Sequence, residues 1–369
     1  MKYAWQKDDW TKFHFDLSKF EAPLLAFSEE AGTASGLLEG LADGLKDEAI
    51  TDLMISEAIK TSEIEGEYFS REDVISSVKN RLSLTQPPLK VTNRGAQGVA
   101  DLMLKVRDAF AEPLTQDMLF EWHTLLLAND RNITPGQWRS GEDAMQVVSG
   151  RIDKPTVHFE APPSSRVPTE MANFIAWFDR TSPQGEAPIL HPVVRAGMAH
   201  LYFETIHPFE DGNGRIGRAI AEKAISQGLG RPALITLSST IEAHKKDYYD
   251  ALESAQQSNE ITGWLTYFST TALEAQSYAK EQIRFILRQA KFFDRFQGQF
   301  NKRQQKVIKR MFAAGPTGFE GGMSPKKYIA MTKASKATAT RDLQQLVEMG
   351  ALVKSGGGHS TRYHLSIDE

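Results

Sequence analysis

His207-Pro208-Phe209-Glu210-Asp211-Gly212-Asn213-Gly214-Arg215-Ile216-Gly217-Arg218 puts an imidazole, a carboxylate, a glycine-rich bend and two guanidinium groups into one short stretch of chain. Gly212, Asn213 and Gly214 admit a positive-φ backbone whose N–H groups can converge on an anion as a nest. The apolar spacing of Ile216, Ile220 and Ile225 predicts a helix starting directly after the bend. A helix start adds free N–H donors and the positive end of the macrodipole. Arg215 and Arg218, three apart, share a face of that helix and can reach phosphate oxygens bidentately. Asp211 is a hard oxygen ligand where a phosphate-bound Mg²⁺ would sit, and His207, on the far side of the bend, is the group to take a proton from an incoming hydroxyl. The residues alone point to metal-assisted phosphoryl or nucleotidyl transfer to an activated hydroxyl.

The stretch resembles the motif of the Fic family, His-Pro-Phe-x-Asp/Glu-Gly-Asn-Gly-Arg-x-x-Arg, at every fixed position. The resemblance implies a mainly α-helical Fic-type core in which His207 is the base and Asp211 holds Mg²⁺. It also implies that Gly212, Asn213, Gly214, Arg215, Ile216, Gly217 and Arg218 bind ATP. The implied reaction passes AMP from ATP to a Ser, Thr or Tyr hydroxyl of a protein. Gly214 bears on which group moves, because relatives that transfer phosphate carry Lys there. A metallohydrolase is the rival reading, from His191, His200, His207 and Asp211. Zinc proteases place two histidines four apart with an adjacent Glu, a pair this chain lacks, so His191 and His200 are expected in the core or behind the site. Leu190 to Phe209 reads as a largely apolar helix leading into the bend.

Upstream, Thr61-Ser62-Glu63-Ile64-Glu65-Gly66 resembles the Fic inhibitory motif, Ser/Thr-x-x-x-Glu-Gly/Asn, in the class whose inhibitory helix is amino-terminal. Asp52 to Glu65 is rich in helix formers, Gly66 suits the C-cap, and Ala58, Thr61 and Glu65 fall on one face. A carboxylate in a last helical turn is opposed by the macrodipole and gains from a cation supplied elsewhere. The resemblance names that cation as Arg218, and a pair at ~4 Å is worth roughly 4 kcal/mol at an effective dielectric near 20, before desolvation is subtracted. In some relatives the same Glu helps remove AMP from modified targets, and the sequence leaves this open for Glu65.

Between Trp138 and Pro163, Met145-Gln146-Val147-Val148 and Thr156-Val157-His158-Phe159 predict a hairpin with Gly150 and Asp153 as turn residues. In Fic proteins this hairpin is a flap, here 145–159, that docks the target protein by strand pairing. Ile241 to Leu252 resembles the segment lining the nucleoside. His244 stands where relatives often have Asn, and Tyr248 or Tyr249 can stack on adenine or pack in the core. Further helices are predicted over Gly95 to Ala111, Thr115 to Leu127, Thr169 to Arg180 and Gly263 to Ala290.

The last 69 residues carry a charge balance of +7 against −11 for the rest of the 369-residue chain, so the tail reads as a separate unit with a taste for acidic partners. It resembles a winged helix-turn-helix: helices at Ser324 to Thr332 and Lys336 to Met349, then a wing from Ala351-Leu352-Val353-Lys354 and Thr361-Arg362-Tyr363-His364-Leu365. Ser335, Lys336, Thr338, Thr340 and Arg341 would open a recognition helix, with Lys354 and Arg362 on phosphates, which makes a DNA-binding regulator the alternative function and a protein partner or homodimer another use of the module. The organisation expected is an amino-terminal helical domain over 1–92, a Fic core over 93–290, and a linker helix with winged helix over 291–369. Hydrophobic residues make up 41% and charged ones 24%, a globular composition. With no apolar run fit to span a bilayer, no signal peptide and no cysteine, the expected location is the cytoplasm.

Overall fold

A computed structural model describes the chain apart from residues 1–2, 85–86, 129, 131, 152–153 and 368–369. It is mainly helical. In chain order come α1 (Glu21–Glu39), α2 (Asp43–Ile64), α3 (Arg71–Arg81), α4 (Arg94–Asp108) and α5 (Gln116–Leu127). A hairpin follows, β1 (Gln146–Arg151) against β2 (Lys154–Glu160), then α6 (Val167–Arg180), α7 (Pro192–Ile206) and α8 (Asn213–Leu229). The chain continues through α9 (Leu237–Ala243), α10 (Lys245–Ala255), the long α11 (Thr262–Arg295), α12 (Lys302–Phe312), α13 (Pro325–Thr332) and α14 (Lys336–Glu348), and ends in β3 (Leu352–Ser355) and β4 (Arg362–Leu365). No described helix is long and apolar enough to cross a membrane.

Internal packing divides the chain into two units, residues 1–33 with 50–279 and residues 34–49 with 280–369. In the first, one apolar core joins Phe20 and Phe27, Ile55 and Ala58 of α2, Leu102 of α4, Trp122 of α5, Phe174 of α6 and Ile216 and Ile220 of α8. The amino-terminal helices thus share a core with the motif helix. At its centre lies α7, buried from Val193 to Ile206, as a helix apolar nearly all round must be. The opening aromatics pack on this unit: Trp5 donates to the Glu160 carbonyl at 2.7 Å and Trp10 lies edge-on to Tyr202.

The second unit has its own core of Val307, Ile308, Tyr328, Leu343, Leu346 and Leu352. Buried Asp342 ties it together, accepting from Arg303 at 2.8 Å and Tyr328 Oη at 2.8 Å. Ser335 caps α14 through the Thr338 N–H, β3 pairs antiparallel with β4, and Met323 bridges to Tyr363.

Four sequence expectations shift. α2 begins at Asp43, because the acidic and alanine-containing run before Asp52 is itself helix-compatible. Gly150 pairs with Pro155 inside the β1–β2 ladder instead of forming the turn, and Asp153 lies outside the described residues. His191 is the exposed N-cap residue of α7, its helix being entered through Pro192, so it is not a core residue. The chain breaks at His244 (φ −126, ψ 40), which separates α9 from α10 within the segment expected to line the nucleoside.

Candidate active site

α7 ends at His207, whose backbone takes a left-handed φ of 50 and ψ of 61, rare for a residue with a side chain and commonest where function holds it. Buried Arg139 supports that turn. Its Nε donates to the His207 carbonyl at 2.7 Å, its Nη1 to Ser164 Oγ at 2.9 Å, and its N–H to the Pro208 carbonyl at 2.9 Å. Phe209 stacks on His123 with ring centroids 4.1 Å apart, and Asn213 staples the bend shut, accepting from the Phe209 N–H and donating to its carbonyl. The chain then enters α8 through Gly212, at φ 80, with no side chain capping the helix start. The first-turn N–H groups of α8 are therefore free of side-chain partners, as an anion site requires.

Both motif arginines are buried, at 2% and 3% exposure, and each is held by a carboxylate from the end of α2. Arg218 donates to Glu65 Oε1 at 2.7 Å, and to Thr61 through its hydroxyl and carbonyl at 2.9 Å each. Arg215 donates to Glu67 Oε2 at 2.6 Å. Gly66, at φ 81, makes this pairing possible: the Gly66 N–H bonds the Glu63 carbonyl and the Glu67 N–H the Ser62 carbonyl, a Schellman turn that sends the two carboxylates to different arginines. A Cβ on Gly214 would stand 2.1 Å from Glu65 Oε1, so the glutamate lies directly over the glycine bend, in the space an anion would take. Arg215 Nε and Nη2 and Arg218 Nη1 stay buried without hydrogen-bond partners. Burial opposes the charge on Glu65, yet Arg218 outweighs it and holds the carboxyl below its ordinary value.

The helix that carries Glu65 is firmly seated. Glu57 accepts from the Ser238 N–H at 2.9 Å, Ser56 meets Ser239 at 3.1 Å, Lys60 reaches Glu242 at 3.0 Å, and Lys245 donates to the Ile64 carbonyl. Burial pushes Glu57 up from 4.5 to about 7 against those Ser238 bonds. A raised folded value means that its stabilising contribution is whole below pH 4.5 and is lost as pH rises through about 7. Urea midpoints should therefore fall over that window in the wild type and fall less in Glu57→Gln.

His207, Glu65, Gly214 and Glu204 open on one cavity of about 810 Å³ walled by Met145, by Val147 of β1 and by Tyr249. Burial first, and Arg139 second, hold the His207 imidazole down at about 4, so it is a neutral base at physiological pH. The hairpin has a register shift after Val147, and His158 meets Glu253 of α10 at 3.0 Å across the cavity wall.

The sequence-predicted residues separate into two groups. His207, Gly214, Glu65 and Tyr249 line the cavity together with Tyr248, whose hydroxyl is 2.8 Å from His200 Nε2, while Arg215, Arg218, Asp211 and Gly212 are joined to them through Glu67, Glu65 and one another. The others do not present groups to the cavity. Ile216 is buried with its N–H bonded to the Gly212 carbonyl, and Asn213 spends its side chain on Phe209, leaving only main chain. Gly217 backs onto Glu204 and His200, and His244 points to Glu274 at 3.9 Å, leaving Lys245 as the cationic group beside Tyr249. Sequence reasoning missed Arg139, Glu204 and Glu67. Of these only Glu67 left a signal, the repeat of Glu on either side of Gly66.

Asp211 Oδ1 accepts the Gly212 N–H at 2.6 Å, and Oδ2 lies 3.8 Å from Arg215, on a side chain 49% exposed beside the bend. Among the described residues no group of three or more His, Asp or Glu could hold a metal ion. One carboxylate completed by phosphate oxygens and water is nonetheless a set that Mg²⁺ accepts, and Asp211 fits it.

Comparison with known proteins agrees with this geometry. Residues 113–225 match the Fic/DOC family model, and residues 3–84 match a domain of unknown function, DUF4172. Residues 113–225 thus carry a Fic/DOC family domain. The chain is 27% identical over 145 residues, 39% of its length, to the Protein adenylyltransferase Fic of Nematostella vectensis, of which the match covers 29%. It is 26% identical over 125 residues, 31% of its length, to the Uridine 5'-monophosphate transferase of Xanthomonas campestris pv. campestris (strain 8004), covering 21% of that protein. The matches thus span less than a third of these relatives. A Fic family protein from Desulfovibrio desulfuricans G20 shares the fold, with a TM-score of 0.53 and 22% identity over 94% of this chain and 97% of that one.

Proposed function

We propose that this protein is a Mg²⁺-dependent protein adenylyltransferase, moving AMP from ATP to a Ser, Thr or Tyr hydroxyl of a target protein, and that Glu65 and Glu67 hold it inactive. The observation that carries the reading is the uncapped start of α8 facing His207 across one cavity, with buried arginine N–H groups left unpaired. The N–H groups of the bend, with Arg215 and Arg218, hold the triphosphate; Tyr249 faces the nucleoside. Asp211 would hold Mg²⁺, which supplies charge neutralisation on the phosphates. His207 takes the acceptor hydroxyl's proton as that oxygen bonds the α-phosphorus and the bond to pyrophosphate breaks. The hairpin edge, with Val148 and Val157 exposed at 52% and 44%, receives the target chain by strand pairing. The same site would serve removal of AMP if Glu65 drew a proton from water as the water oxygen bonds the phosphorus and the bond to the target's oxygen breaks, releasing AMP and restoring the hydroxyl. The cytoplasm, with its ATP, is the setting this activity needs.

The deciding experiment incubates the whole protein with ATP labelled at the α- or the γ-phosphate, and with α-labelled UTP. Label retained from the α-phosphate of ATP supports the reading. Label from the γ-phosphate would make the protein a kinase, and preference for UTP a uridylyl transferase.

The second unit favours an additional reading as a winged-helix DNA-binding regulator, or a partner or homodimer module, because Lys336, Thr340, Arg341 and Gln344 leave one face of α14 open and Lys354 is exposed on β3. Duplex DNA should then bind with an affinity that falls steeply with salt, and Arg341→Ala should weaken it; binding that ignores salt and this substitution points to a protein partner.

A further inference from the structure

α7 buries four strongly polar side chains beneath the bend, Arg195, His200, Glu204 and Thr205. Arg195 bonds Gln227, Thr181 and the Phe178 carbonyl, Thr205 bonds the Leu201 carbonyl, and His200 meets Tyr248. Glu204 carries the acid of the group: its Oε1, like Nδ1 of His200, is buried with no hydrogen-bond partner, a costly arrangement for a carboxyl in a helix whose neighbours at 203 and 206 are Phe and Ile. Its Oε2 stands 3.8 Å from His207 Nδ1, an ion-pair separation longer than a hydrogen bond, and the main-chain carbonyl of Glu204 also favours the protonated ring. The carboxyl fits only because position 217 is glycine, where a Cβ would lie 2.3 Å from Oε1. An expensive acid, accommodated by a gap in the motif helix and set against the base, is not explained by packing.

We propose that Glu204 is the positioning residue of His207, aligning the imidazole from its Nδ1 side so that Nε2 faces the acceptor hydroxyl, and holding the positive charge the ring gains. The inference rests on the reading of His207 as base. The hydroxyl proton goes to Nε2, and Glu204 itself takes none. The charged and titratable groups around Glu204 are His207 and His200 of its own segment, Arg218 of α8, Glu65 just after α2, and Tyr248 and Tyr249 of α10. Burial, reinforced by Glu65 and opposed by Arg218, pushes the carboxyl up to about 8 in this braked state. The ionised form supports the reaction, so removing Glu65 favours it twice, by freeing the bend and by easing this ionisation.

The test uses the whole protein carrying Glu65→Gly, with and without Glu204→Gln. Glutamine fills the same space against Gly217, so a loss reports the charge. Expected are a fall in kcat for α-label transfer of about tenfold or more with the KM for ATP within about twofold, and loss of the rise in rate with pH that ionisation of Glu204 confers. Nitrogen NMR of histidine-labelled protein should show His207 changing from one tautomer to a mixture. Should Glu204→Gln fail to fold, Glu204→Asp, which keeps the charge one methylene further back, is expected to give an intermediate kcat. Unchanged kcat, pH profile and tautomer would overturn the proposal. Retained transfer in His207→Ala would instead overturn the reading of the base, and the nitrogen spectrum would still report whether Glu204 sets the tautomer.

Discussion

Glu65→Gly is expected to raise α-label transfer by about 30-fold, the equivalent of roughly 2 kcal/mol and half the worth of the pair before desolvation is subtracted. Three observations set the direction. Glu65 Oε1 lies over the bend at Gly214, it holds Arg218 at 2.7 Å, and its helix is fixed by bonds from Ser56, Glu57 and Lys60 to α9. A helix so held does not swing aside when ATP arrives, so the nucleotide must displace the carboxylate by side-chain rotation, against an ion pair in a buried place. Glycine removes that opponent and leaves Arg218 Nη2 for a phosphate oxygen. Glu67→Gln should release Arg215 in the same way but more weakly, because Glu67 is 37% exposed and its pairing is already weakened by solvent and salt. In the proposed function both guanidinium groups grip one triphosphate, so the effects should not add in the double variant. Calorimetric ATP binding and self-labelling read the two steps separately. A Glu65→Gly protein that binds and transfers like wild type would remove autoinhibition from the account.

Much of the site was legible because its chemistry is written in consecutive residues. His207, Gly212, Gly214, Arg215 and Arg218 lie within one turn and the start of one helix, where spacing alone fixes proximity. Glu65 was legible only through its resemblance to a motif, since no periodicity announces a contact across 153 residues of chain. Arg139 and Glu204 were not legible at all. A buried arginine that bonds carbonyls, and a buried glutamate in an apolar helix, look in sequence like surface charges, and only tertiary packing tells them apart. His244 stands at a break between α9 and α10 that its resemblance to the nucleoside-lining segment does not announce, and its ring lies 3.9 Å from Glu274. The helices themselves were read well where caps were plain, as at Thr115 for α5 and Ser335 for α14, and less well where a helix began without one, as α2 does.

His207→Ala, made in the Glu65→Gly protein, is expected to lower transfer by about 10²- to 10⁴-fold, the range a positioned general base supplies. ATP affinity should stay nearly constant, because in the proposed function the bend and the arginines grip the triphosphate while His207 addresses only the acceptor. That split between lost rate and kept binding marks a group acting in the transition state. The pH dependence follows from the same surroundings. Burial and Arg139 keep the imidazole neutral down to about pH 4 in the braked protein, so its base form is present throughout the physiological range. Bound phosphates add negative charge nearby and favour the imidazolium, which moves the acid limb of the rate upward from that value. The limb should therefore lie between pH 4 and the ordinary histidine value of 6.5. Arg139→Met removes a repelling cation and the support of the His207 carbonyl together, and should shift the limb further up while lowering the plateau. If His207→Ala transferred label at the parent rate, the imidazole across the bend would be a bystander, and the proton would need another acceptor in the cavity.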